Sequence, residues 1–208
     1  MRRRLLAIGA AAVATLTTLT GCSGSSPEAG TSPAGTTTSA AAQPHNQADA
    51  MFAHHMIPHH QQAIEMSDIV LGKQGIDPRV VTLANQIKAA QGPEIQQMQS
   101  WLSQWGEPTM MPVPSSMMPG HDMGDMGDMP GMSGMMSGED MAALRNAQGV
   151  EASKLFLTQM IAHHQGAIAM AQDEIKSGQY PPAIAMSQSI VTSQQKEIDE
   201  MQAILASL

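Results

Sequence analysis

Two adjacent histidines recur in the chain with the same neighbours. Met56-Ile-Pro-His59-His60 is followed by Met66, and Met160-Ile-Ala-His163-His164 by Met170, each methionine seven residues after the first histidine. On a helix, residues three and four apart share a side, so Met56 and Met160 each stand one turn before a histidine pair. One helix face can then present thioether and imidazole together. His55 adds an i, i+4 partner to His59, a familiar spacing for two ligands, and His54 stands beside it. Soft thioethers with imidazole suit Cu(I), and by similarity Ag(I), whereas Mg, Ca and Mn want oxygen. Glu94 and Glu197 also recur, and could accept a ring N–H from the histidines or serve as ligands themselves. The plainer reading is that a Met stripe fills a core and a buried His is merely hydrogen-bonded. Paired histidines beside equivalent methionines in both copies weigh against it.

A second concentration of sulfur lies between the copies. Residues 110–136 hold ten Met among Gly, Pro, Ser and Asp, as in His121-Asp-Met123-Gly-Asp-Met126-Gly-Asp-Met129-Pro-Gly-Met132. Such a segment would be a disordered connector on its Gly, Pro and Asp alone. Methionine suits a solvated linker poorly, because it exposes apolar surface and oxidises to the sulfoxide. The excess therefore points to weak, multivalent capture of Cu(I) or Ag(I). His121 and the aspartates offer Cu(II) a harder foothold.

Composition removes other chemistries. The 208 residues carry a formal charge of −8, which disfavours nucleic acid as a partner. Only 2% are aromatic, too few for base-stacking platforms. The single Cys excludes disulfides and thiolate metal cages. That cysteine has another use. Arg2, Arg3 and Arg4 precede an apolar run from Leu5 to Leu19, too short to span a bilayer, and Leu19-Thr20-Gly21-Cys22 resembles a bacterial lipobox. Residues 1–21 are therefore expected to be a lipoprotein signal peptide, with Cys22 lipidated. Without the three arginines the net charge becomes −11. Residues 22–47, rich in Ser, Thr, Gly, Ala and Pro, read as a flexible tether. The protein is then expected on the extracytoplasmic face of a bacterial cell membrane.

The elements that position the histidines follow from an internal repeat. Residues 52–66 align with 156–170 at nine of fifteen identical positions, and Ile87–Leu102 aligns with Ile190–Leu205, keeping Gln91/Gln194 and Glu94/Glu197. Each half, 48–105 and 139–208, is one helix pair. Apolar spacing and stop signals predict helices over 48–73, 78–105, 139–177 and 181–207, with Gly149 a candidate break in the third and Pro58 a kink in the first. Asp77 before Pro78 and Ser137 with Asp140 are helix-start signals. Two such hairpins make an all-α four-helix bundle over 48–208, with sites built from facing side chains. The Met-rich linker, 106–138, is expected to lack regular structure.

With the doubled Met-Ile-Pro/Ala-His-His-Gln motif in view, the chain resembles the bacterial family called domain of unknown function 305, over roughly residues 48–207. The resemblance implies a ferritin-like fold and a copper-binding role, since a periplasmic member of that family binds copper and confers copper resistance. It also implies that Met56, His59, His60, Met66, Met160, His163, His164 and Met170 face the metal. The expected function is a membrane-anchored copper lipoprotein that sequesters Cu(I) or passes it to a copper-transfer protein, without catalytic turnover. Two alternatives are a cuprous or ferrous oxidase using the His/Glu interior, and a metal-free interaction module.

Overall fold

The computed structural model describes residues 44–108 and 133–208. Cys22, His121, Met123, Met126, Met129 and Met132 lie outside the described residues, as do the predicted signal peptide and most of the tether. The described residues form an all-α structure of five helices: α1 Gln47–Leu71, α2 Pro78–Trp105, α3 Gly138–Asn146, α4 Gly149–Ser177 and α5 Pro181–Leu205. None of them is long and apolar enough to cross a membrane.

Local chemistry sets these boundaries. Asn46 and Asp49 form a reciprocal capping box at the start of α1, as Ser137 and Asp140 do for α3. Asp77 caps α2 ahead of Pro78, whose missing N–H would have no helical partner at that position. Gly106 closes α2 in the left-handed conformation, φ 74°. The third predicted helix is two helices. α3 ends at Asn146, the chain extends through Ala147 and Gln148, and Gly149 turns it into α4 at φ 55°, a value costly for a residue with a Cβ. The predicted Met-rich linker is correspondingly shorter at its far end, because α3 already begins at Gly138. α1 continues through Pro58 as one helix.

The two hairpins, α1–α2 and α4–α5, meet chiefly through α1 against α4, and short α3 lies against both. The core between them is divided. One apolar cluster contains Ala63, Met66, Val70, Val80, Leu83, Phe156, Met160 and Met201. The other contains Phe52, Met56, Ile95, Met98, Trp101, Ala167 and Ile190. On each long helix the residues between its two clusters are polar: His59 and His60, Gln91 and Glu94, His163 and His164, Gln194 and Glu197. The repeat therefore produces a polar layer across the middle of an otherwise apolar bundle.

The start of α1 is tied to the α4–α5 turn by a buried acid. Asp49 accepts N–H bonds from Asn46 at 2.6 Å, Gln179 at 3.0 Å and Tyr180 at 2.9 Å. Burial alone would raise its pKa, but these donors, with Glu174 beside it, bring it below the usual carboxylate value. Glu174 is 2% exposed, and burial first and the adjacent Asp49 second push it up to about 8. A carboxyl raised in the folded state stabilises most below its unfolded pKa near 4.5, and that contribution is lost as pH rises to about 8. Comparing thermal melts of Glu174→Gln with the parent from pH 4 to 9 should isolate this contribution. The variant should lack a decline on the order of 5 kcal/mol that the parent shows across that window. Parallel curves would refute the assignment.

Candidate metal centre

The layer's four histidines are all fully buried. Position in the repeat explains why they meet. His59 and His163 occupy equivalent places on the two central helices, so packing α1 on α4 brings one against the other, with ring centroids 3.7 Å apart and planes inclined at 38°. His60 and His164 turn outward to the partner helix of their own hairpin. His60 Nε2 lies 2.7 Å from Glu94 Oε2, and His164 Nε2 lies 2.7 Å from Glu197 Oε2. The two contacts are the same interaction made twice.

These contacts fix which lone pairs are free. An ionised carboxylate only accepts, so Nε2 of His60 and of His164 carries the hydrogen, and in the neutral ring the lone pair falls on Nδ1. Neither Nδ1 has a partner. His59 and His163 have no partner at either ring nitrogen. Gln91 and Gln194, buried one turn before the glutamates, add three more unsatisfied amide atoms. The layer thus holds nine buried, unpartnered nitrogen and oxygen atoms. Each such atom ordinarily costs about 1–3 kcal/mol. A folded chain retains a cost of that size where something else uses the atoms.

Electrostatics keeps the rings ready to donate to a cation. Burial first, then neighbouring His60 and His164, pushes the His59 pKa down to about 3, with the Ser133 backbone acting slightly the other way. Burial first, then His59, His164 and His60, holds His163 well below its usual value. Both rings are therefore neutral at physiological pH, and metal binding there need not displace a proton.

Among the described residues, no three His, Cys, Asp or Glu side chains converge as placed on a single ion position. A metal in the layer would need the rings of His59 and His163 to separate, or sulfur to complete the set. Met56 and Met160, fully buried one turn before the histidine pairs, are positioned for that by helical spacing. Such an ion would be soft, monovalent and content with few ligands.

The remaining sequence candidates are distributed elsewhere. Met66 is buried in the apolar cluster beside α3. Met170 is partly buried at the opposite end of the bundle and lines a cavity with His55. His54 lines a neighbouring cavity of about 480 Å³ with His45, Met51 and Glu107. Gln91 and Gln194 were not among the sequence candidates, and the signal for them is their identity in both halves at helical spacing from Glu94 and Glu197.

The segment entering α3 crosses the layer's outer side. Gln62 donates to the Met136 carbonyl at 2.9 Å and accepts from the Met136 amide at 2.7 Å. At the matching position of the second half the repeat carries Gly166, and a Cβ there would lie inside contact distance of the Ser133 carbonyl and 2.8 Å from Gly134 Cα. The far end of the Met-rich segment is thus clamped by Gln62 and seated on Gly166.

Comparison with known proteins agrees with this fold. Residues 49–205 match the family model described as domain of unknown function (DUF305). A DUF305 protein from Streptomyces coelicolor is similar at 32% identity and TM-score 0.66, over 77% of this chain and 91% of that one. A DUF305 fragment from Deinococcus radiodurans is similar at 29% identity and TM-score 0.65, over 79% and 99%. CopM in its Cu(I)-bound form is similar at 30% identity and TM-score 0.59, over 76% and 96%, and CopM has also been solved in Cu(II)-bound, Ag-bound and apo forms. No curated protein matches. With its doubled histidine motif, its paired hairpins and a family match over most of its length, the chain belongs to the DUF305 family.

Proposed function

We propose that this protein binds copper as Cu(I), and silver as Ag(I), in the polar layer, and serves to sequester or deliver the ion without catalytic turnover. The observation that carries the reading is the set of six unpartnered ring nitrogens on four buried histidines. Copper- and silver-bound structures of CopM support the choice of metal. In this account His59 and His163 hold the ion, His60 and His164 assist through Nδ1, and Glu94 and Glu197 hold the outer rings in the donating tautomer. Met56 and Met160 supply sulfur. The Met-rich segment gathers ions weakly.

We place the protein outside the cytoplasm, anchored through a lipid on Cys22. The Leu19-Thr-Gly-Cys22 motif supports the anchor, and the description of the Streptomyces relative as a secreted protein supports the compartment.

Anaerobic titration of the full chain with Cu(I), against a chromophoric chelator, tests the assignment. The parent should show a tight class of sites and a weaker one. His59→Leu with His163→Leu should remove the tight class, and deletion of 109–132 only the weaker one. A tight class that survives the double substitution would refute the layer as the binding site.

A further inference from the structure

The two halves are alike in the layer but differ at their ends, and the difference leaves one cavity unexplained. Between the start of α1 and the end of α4 lies an opening of about 370 Å³, lined among others by Met51, Phe52, His55, Met170, Asp173 and Glu174. The repeat offset assigns each lining residue a counterpart at the opposite end. Met51 corresponds to Leu155, His55 to Gln159, Met170 to Met66, Asp173 to Ile69 and Glu174 to Val70. At that opposite end Met66 and Val70 are fully buried in an apolar cluster that α3 completes with Met141 and Leu144. Where one end is plugged with hydrocarbon, the other carries two thioethers, an imidazole and two carboxyls around open space.

The local sequence repeats the chemistry of the layer. Met51-Phe-Ala-His54-His55 is a third Met-x-x-His-His, five residues ahead of Met56-Ile-Pro-His59-His60, and the second half has no counterpart to it. Helical spacing puts His55 one turn from Met51, on its side of α1. Met51 is 45% exposed, one of two large hydrophobic residues left so among the described residues. An exposed methionine is poor packing but an accessible ligand. A second, independent observation points to an occupant. Glu174 is 2% exposed and lines the cavity, and no N–H donor reaches its carboxyl, which faces the carboxyl of Asp49 instead. A cation bound next to two buried carboxyls relieves the cost of bringing them together.

We propose that this cavity is a second site for a soft monovalent cation, coordinated by Met51, His55 and Met170, with the buried Asp49–Glu174 carboxyl pair, which holds one negative charge, as the counter-charge. The thioethers select Cu(I) and Ag(I) over hard ions, and the one negative charge of the carboxyl pair at the back of the cavity compensates the single positive charge. Exposed Asp173 at the rim adds attraction for cations. The site stands one helical turn along α1 from His59 and opens to solvent, whereas the layer is sealed. It takes its choice of ion from the function proposed above but uses none of the same side chains.

The test is Ag(I) titration of the full chain labelled at methionine methyl groups, followed by NMR, with Met51→Leu and Met170→Leu assigning the two signals. Both methyl resonances should move together with the added silver, and should still move in His59→Leu/His163→Leu. The triple variant Met51→Leu/His55→Gln/Met170→Leu should bind one silver fewer than the parent while its melting temperature without metal stays within a few degrees. Two methyl signals that remain fixed to saturation, or a triple variant of undiminished stoichiometry, would overturn the site. The paired variants separate the two claims. Silver lost only in the His59/His163 variant refutes this cavity and leaves the layer, and silver lost only in the triple variant does the reverse.

Discussion

Replacing His59 and His163 together by leucine should make the metal-free protein melt about 5–10 °C higher, and should abolish the further rise that Ag(I) gives the parent. The two rings carry four nitrogens that are buried without partners. Replacing unsatisfied polar groups with apolar ones of similar size removes a desolvation cost of about 1–3 kcal/mol per group, less about 1–3 kcal/mol if leucine crowds its neighbours. A net gain of roughly 2–4 kcal/mol corresponds to about 5–10 °C in a domain of this size. A ligand that binds only the native state at a hundred times its dissociation constant adds about 2.7 kcal/mol, which the parent gains and the variant forgoes. Greater stability together with lost binding is what separates a binding layer from a structural one. If the histidines merely held the bundle together, the same substitution would lower the melting temperature. Differential scanning of both proteins, with and without silver, decides the matter.

Gly166→Ala should strongly destabilise the protein, because among the described glycines a Cβ at Gly166 makes the shortest approach to backbone. Alanine in a helix interior is normally preferred to glycine by about 1 kcal/mol. Here the new Cβ would strike backbone, the Ser133 carbonyl and Gly134, which cannot yield as a flexible side chain does. The segment 133–136 would lift from α4 and the paired Gln62–Met136 hydrogen bonds would break, at a cost of about 2–4 kcal/mol, or roughly 5–10 °C in melting temperature. Gly92 is the control, since a Cβ there meets nothing within 4 Å, and Gly92→Ala should leave stability unchanged or slightly raised. The Met136 amide, protected from exchange in the parent by Gln62, should exchange faster in Gly166→Ala and unchanged in Gly92→Ala. A Gly166→Ala protein as stable as the parent would mean that the segment is not seated on α4.

Much of the fold was legible because it is written twice. Periodicity and the repeated Ile, Met and Leu positions located the four long helices, and Asp77-Pro78 placed the start of α2 where it is observed. The break before α4 was legible only as a glycine, because α3 and α4 are separated by two extended residues that carry no strong stop signal. The histidine pairs and their glutamates could be named, and the helical offset from Glu94 to His60 is one that facing helices satisfy. That His59 meets His163 could not be read, since it follows from how one hairpin packs on the other. The same limit explains Met66 and Met170. They are identical in their repeats, and only the placement of α3 over one end makes the first a core residue and the second a cavity wall. Gln91 and Gln194 were overlooked because a glutamine on a helix reads as solvent-facing until the helix that covers it is known.

An anomalous difference map at the copper edge, from crystals of the full chain loaded anaerobically with Cu(I), decides whether His59 and His163 hold the metal. A copper peak is expected between α1 and α4 within bonding distance of a ring nitrogen of His59 and one of His163, with the two rings drawn apart from their 3.7 Å centroid separation. Copper found only at surface methionines, with the two rings still in contact, would rule out the layer as the metal site.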